Sequence, residues 1–298
     1  MISLSIPDPL ARVPLRLLAA FVACVALSDC SSPPHRATSW TLPSGSHYVA
    51  MGSSFAAGPG ITTIEPGTPV RCTRSTDNYA QQLARRRGLV LTDVSCGGAT
   101  TAHVLAAWNE LPAQLDALRA DTQLVTVTIG GNDLNYMGVL FGASCKALQR
   151  AGTAAQGECR DSSLPTEQGY AGLAARMARI AAEVHRRSPA ARLVFVDYVT
   201  VLPPTGQCAV APLSDADADS ARALDLRLRQ ITAAAARDAG AELLAAGALT
   251  RDHHACAAEP WINGLFGPDP RVPVVGFHPR LEGMTAVAAA LDGLLGGR

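Results

Sequence analysis

The apolar positions of this chain fall into short runs that stop abruptly at small or polar residues. His47-Tyr48-Val49-Ala50-Met51 breaks into Gly52-Ser53-Ser54. Residues 89–96 run Leu-Val-Leu-Thr-Asp-Val-Ser-Cys and end in Gly97-Gly98, and residues 124–129 end in Gly130-Gly131-Asn132-Asp133. Short apolar runs bounded by glycine predict buried strands. Residues 192–199 predict a fourth strand and residues 241–246 a short fifth. The intervening segments have a helical period instead. Residues 78–87 carry Tyr79 and Leu83 and stop at Gly88, as an ending helix does. Residues 101–118 place Val104, Leu105, Trp108, Leu111, Leu115 and Leu118 at helical spacing, with Pro112 starting a second helix or kinking the first. Residues 170–187 and 215–239 predict two longer helices, and residues 278–295 a closing one begun by Pro279. Strands alternating with helices predict an α/β domain with a parallel sheet. The stretches 132–170, 61–75 and 256–273 read as long loops that wall a cleft. Trp108 and Trp261 are expected in the core.

The carboxyl ends of parallel strands share one edge, where ligands bind. Ser54, Gly98 and Asn132 follow three of the predicted strands, and His278 comes late, after Gly276-Phe277. The order suits nucleophilic chemistry. A serine hydroxyl needs a base to take its proton, and a neutral imidazole supplies one. Attack on a carbonyl builds an oxyanion that fixed N–H donors must meet.

These four blocks resemble the SGNH hydrolases, the GDSL-type esterases and lipases, over roughly residues 47–296. The family's first block is Gly-Asp-Ser followed by an apolar residue. Here it reads Gly52-Ser53-Ser54-Phe55, so Phe55 sets the register and Ser53 stands in the usual Asp position. The resemblance implies a flavodoxin-like three-layer α/β/α sandwich with a central parallel five-stranded sheet. It implies a serine esterase or lipase with Ser54 as nucleophile and His278 as base. The oxyanion donors would be the backbone N–H groups of Ser54 and Gly98 and the side chain of Asn132. The family commonly places an Asp three residues before the histidine. Val275 occupies that position, and its backbone carbonyl is expected to orient the ring, as in secreted bacterial relatives; Asp252 and Asp269 are lesser alternatives. Ser53 is expected to hold the turn by accepting backbone hydrogen bonds, and Asp133 to cap the segment after it. His47, His103, His185 and His254 read as surface or capping residues. The substrate expected is a small-molecule or lipid ester, with no metal or organic cofactor. Ser53 and Val275 keep two other readings open: a carbohydrate O-deacetylase of the same superfamily, and a catalytically weak envelope protein that binds lipid or glycan.

The first 46 residues read differently. Arg12 and Arg16 precede the apolar run of residues 17–28, the layout of an export signal and too short to span a membrane comfortably. Cys30 follows Leu27 by three residues, as in a bacterial lipoprotein box, although Asp29 departs from it. Lipid attachment at Cys30, with peripheral membrane association, and simple secretion both fit. Residues 1–30 are thus a signal, 31–46 a Ser/Pro/Thr-rich tether, and 47–298 the hydrolase domain. Six of the eight cysteines lie in that domain, an even number that suits disulfides in an oxidising compartment. Sequence alone leaves fifteen pairings open; the resemblance implies Cys72–Cys96, Cys145–Cys159 and Cys208–Cys256. Zinc-ligand spacing is missing. The hydrophobic share of 48% suits a sizeable core, and a formal net charge of zero without a basic patch argues against nucleic acid as a partner.

Overall fold

The computed structural model describes residues 42–153, 157–267, 269 and 271–296. Residues 1–30, where the export signal and Cys30 are expected, and most of the expected tether lie outside the described residues. Residues 42–46 do not behave as a tether. Leu42 joins the core, and the Gly45 N–H donates to the Gly88 carbonyl at 2.7 Å.

Five strands form one parallel sheet in the order β2-β1-β3-β4-β5. They are β1 (His47–Gly52), β2 (Val90–Asp93), β3 (Thr122–Thr128), β4 (Arg192–Val196) and β5 (Glu242–Leu244). The central strands bury Tyr48, Ala50, Met51, Leu124, Val125 and Val127 completely. A parallel strand covered on both faces needs such near-continuous apolar sequence. Helices α2 (Tyr79–Arg87) and α7 (Leu281–Gly296) pack together, as do α5 (Glu167–Arg187) and α6 (Asp215–Asp238), and these pairs flank the sheet. No helix among the described residues is long and apolar enough to cross a membrane. Three disulfides join Cys72 to Cys96, Cys145 to Cys159 and Cys208 to Cys256.

Two segments differ from the pattern-based expectation. Residues 132–170 are not one long loop, because helix α4 occupies Tyr136–Arg150. Its buried face uses Tyr136, Val139, Leu140, Ala143 and Ser144, an amphipathic spacing disguised by Gly138 and Gly142. Its start is also unusual: Asn135 sits in the left-handed region (φ 54°) and makes no side-chain cap, so the usual start signal is missing. Residues 101–118 hold only the short helix α3 (Thr101–Leu105) and a 3-10 turn at Gln114–Ala117. The chain reverses between them, with the Trp108 N–H donating to the Leu111 carbonyl at 2.8 Å and the Leu111 N–H returning at 3.0 Å. The apolar residues here serve a turn rather than a continuous helix face.

Candidate active site

Strand β1 delivers Ser54 to the sheet edge through a tight approach to β3. Gly52 has φ 146°, and a Cβ there would lie 2.3 Å from the Thr128 carbonyl oxygen. Only glycine fits. The next N–H, from Ser53, donates to that same carbonyl at 2.9 Å. Ser54 then opens the short helix α1 (Ser54–Ala57), which Gly58 ends in the left-handed region with its N–H on the Ser54 carbonyl. Gln114 clamps the turn from outside: its Oε1 accepts from the Gly52 N–H at 2.7 Å, and its Nε2 donates to the Gly52 carbonyl at 3.0 Å.

His278 reaches the same point from the far end of the chain. Its Nε2 lies 2.8 Å from the Ser54 Oγ, and both residues are 7% exposed. Its Nδ1 lies 2.7 Å from the Gly276 carbonyl oxygen. A carbonyl only accepts, so Nδ1 carries the proton and Nε2 presents its lone pair to the Ser54 hydroxyl. Burial pushes the imidazole pKa below the ordinary histidine value, and the Gly276 hydrogen bond opposes this only in part. The ring is therefore neutral at neutral pH.

The orienting carbonyl is thus that of Gly276 and not Val275. Phe277 sits at φ 55°, a reversal that folds the imidazole back onto the carbonyl two residues before it. The Val275 carbonyl instead accepts from Asn263 Nδ2 at 3.3 Å. Neither Asp252 nor Asp269 contacts the ring; Asp269 pairs with Arg271 at 2.8 Å.

Ser53 also differs from expectation. Its side chain makes no cap to the backbone and meets the Tyr198 hydroxyl at 3.2 Å. That hydroxyl accepts from the Gly131 N–H at 2.8 Å. Tyr198 therefore ties the serine turn to the loop after β3, a role invisible before the strands are assembled.

The remaining expected residues gather close by. Asn132 Nδ2 donates to the Ala99 carbonyl at 2.9 Å, which sets the amide against the Gly98 loop. An amide nitrogen has two N–H groups, so one stays available. The backbone N–H groups of Ser54 and Gly98 have no protein acceptor among the described residues. Asp133 caps an earlier segment, not the one after it. Its carboxylate accepts from the Thr101 N–H at 2.9 Å, from the Thr101 hydroxyl, and from Arg176 at 3.1 Å. The network pins the start of α3 to the loop that carries Asn132. His103 belongs to a capping box with Thr100. Trp108 is only partly buried and stacks on His103 with centroids 4.0 Å apart, and Trp261 stacks likewise on His253. No group of three metal-ligating side chains occurs among the described residues.

Residues 50–286 match the GDSL-like Lipase/Acylhydrolase family. The chain belongs to that family. Lipase 2 of Streptomyces coelicolor is 33% identical over 309 residues, covering 97% of this chain and 99% of the relative. Among solved structures, the extracellular lipase of Streptomyces rimosus has a TM-score of 0.66 at 25% identity, covering 84% of this chain and 99% of that one. Phospholipase A1 of Streptomyces albidoflavus has the same fold, with a TM-score of 0.67 at 22% identity and the same coverages.

Proposed function

We propose that this family member hydrolyses carboxylic esters through an acyl-enzyme on Ser54. The observation that carries the reading is the 2.8 Å approach of the Ser54 Oγ to the His278 Nε2, with the imidazole tautomer set by Gly276. Ser54 Oγ attacks the ester carbonyl carbon as its proton passes to Nε2. The oxyanion is held by the N–H groups of Ser54 and Gly98 and by the free N–H of Asn132; removing one such donor costs about 2.7–4 kcal/mol. The carbon–oxygen bond to the alcohol breaks, and the imidazolium protonates the leaving oxygen. Water then attacks the acyl carbon with His278 again as base, and the Ser54 hydroxyl is restored. A carbonyl partner orients imidazolium but stabilises it less than a carboxylate does.

The lipase relatives support an ester substrate. Export fits the same reading: the disulfides need an oxidising compartment, and residues 1–30 would supply the signal. Radiolabelled palmitate given to producing cells separates a lipidated Cys30 from a free secreted chain. The decisive test of the chemistry is labelling with a fluorophosphonate probe, followed by mapping of the modified peptide. Modification at Ser54, abolished in Ser54→Ala, is the expected result; modification at Ser53, or none at all, overturns the assignment.

A further inference from the structure

Three separate loops supply the proposed oxyanion donors. The Cys96 N–H donates to the Gly52 carbonyl at 3.0 Å, so the Gly98 loop is tied to the strand end that precedes Ser54. The loop after β3, which carries Asn132, is gripped from a helix. We propose that Arg176, on helix α5, is a positioning residue that sets Asn132 against the Gly98 loop and so completes the oxyanion site. The proposal rests on the ester-hydrolase reading and adds to it a residue from a different layer of the fold.

The grip is a closed triangle of side chains. Arg176 Nε donates to the Thr101 hydroxyl oxygen at 2.6 Å, and its Nη2 donates to Asp133 Oδ1 at 3.1 Å. The Thr101 hydroxyl donates to the same Asp133 oxygen, and the Thr101 N–H donates to Asp133 Oδ2 at 2.9 Å. Thr101 comes three residues after Gly98, and Asp133 directly follows Asn132. One guanidinium therefore joins the two loops at points beside both donors. Its planar fork suits two acceptors at once, which the point charge of an ammonium does not. Thr101 is fully buried and the Asp133 side chain is 3% exposed. Arg176 is the sole ion-pair partner of that carboxylate among the described residues. The Asn132 amide uses one N–H on the Ala99 carbonyl at 2.9 Å, so the aim of its other N–H follows the separation of the two loops.

Helix α5 is a firm platform for this grip. Gly130 lies so close to it that a Cβ there would meet Met177 Cε at 2.9 Å and Leu173 Cδ1 at 3.1 Å. Both of those side chains are fully buried. The helix thus fixes the β3 loop twice, at Gly130 by packing and at Asp133 by charge. Gly172, one turn before Arg176, leaves room for the guanidinium, since a Cβ there would lie 3.1 Å from Nη1. The Gly98 side is less stiff. Gly98 sits in the left-handed region at φ 80°, and α3 has only five residues, too few to hold themselves helical. Without Arg176 a buried carboxylate lacks its counter-charge, and the two loops lose their common anchor. A displacement of about 1 Å is enough to cost about a hundredfold in rate.

The test uses p-nitrophenyl butyrate, with active sites counted by fluorophosphonate titration so that unfolded protein does not enter kcat. Arg176→Met is expected to lower kcat by about ten- to a hundredfold with KM within about threefold, the pattern of an interaction lost in the transition state alone. The acid limb of the pH profile should stay in place, because the Ser54–His278 contact is untouched. Thr101→Val keeps the ion pair and nearly the same volume. It should show the same pattern at about three- to tenfold, and it carries the test if Arg176→Met does not fold. A double-mutant cycle separates positioning from general support of the fold. In an Asn132→Ala background the loss from Arg176→Met should shrink to about twofold or less, since the arginine acts through that amide. Losses that multiply in the cycle, or a kcat that both variants leave within about twofold, overturn the positioning role and leave the hydrolase reading standing. Wild type that is inactive on the ester and unlabelled by the probe overturns the hydrolase reading, and this role with it.

Discussion

Ser54 and His278 are each held firmly, but by different kinds of structure. Ser54 is delivered by regular elements: it follows β1 directly, opens α1, and is preceded by a glycine that permits close contact with β3. His278 sits in an irregular segment. The Asn263 N–H donates to the His278 carbonyl at 3.0 Å, the Phe277 N–H to Gly264 at 2.8 Å and the Arg280 N–H to Trp261 at 2.9 Å. Phe277 adopts a positive φ that a non-glycine residue keeps only when its surroundings over-determine it. Here the fully buried Phe277 ring, set edge-on to Phe141, provides that restraint. The serine arm is robust because a sheet register fixes it. The histidine arm depends on a few specific backbone contacts, and single substitutions there should misplace the base without removing it.

The largest expected effect treats the arms as equal. Ser54→Ala and His278→Ala should each lower kcat on p-nitrophenyl butyrate by at least about 10⁴-fold, and the double variant should lose little more, because groups acting as a unit are not additive. Multiplicative losses in the double variant would show that the two side chains work separately. The second effect comes from the buried imidazole. Protonation at Nε2 removes the base, so kcat/KM falls as pH falls through the His278 pKa, by about tenfold per unit below it. Since that pKa is lowered by burial, the acid limb should lie below the ordinary histidine value near 6.5. The same shift affects stability: the unfolded chain takes up this proton at higher pH than the folded one, so stability is lost as pH falls below the unfolded value. An acid limb above 6.5 in a kcat/KM profile would contradict the buried geometry.

The third effect separates the arms. Asn263→Ala removes the Asn263 Nδ2 contact to the Val275 carbonyl, which loosens the segment carrying His278 while keeping the imidazole itself. Losing one such bond is worth about 0.5–1.5 kcal/mol, so kcat/KM should drop by at most about two- to thirteenfold while fluorophosphonate labelling still maps to Ser54. The smallest effect tests the serine arm. Ser53→Ala loses only the hydroxyl contact to Tyr198, which still accepts from Gly131. A urea midpoint shift equivalent to about 1 kcal/mol or less and a rate within threefold are expected. If Ser53→Ala cost more activity than Asn263→Ala, the contrast between the arms would be reversed.

Much of the site was legible before assembly. The glycine-bounded ends of three strands carried Ser54, Gly98 and Asn132, and all three strands formed in the sheet. What escaped was set by contacts between distant segments. Gln114 lies inside the span 101–118 that reads as helical, and Tyr198 at the tail of the strand expected over 192–199. Their roles require Gly52, Gly131 and Ser53 to be brought beside them. Helix α4 was hidden because glycines and an uncapped start weaken the local signal, whereas its stability comes from the face it buries.

By itself the sequence determined the alternation of strands and helices, the sheet edge at which the small and polar residues end, and the order in which the candidate side chains arrive there. These follow from local periodicity and from the few residues that can end a strand in a tight turn. Only the tertiary structure decided which carbonyl holds the imidazole, which hydroxyl Ser53 meets, and that Trp108 stacks on His103 at a partly exposed position rather than in the core. Each depends on where two remote backbones come to rest, and a left-handed residue such as Phe277 redirects a side chain by an amount that no pattern of apolar spacing encodes.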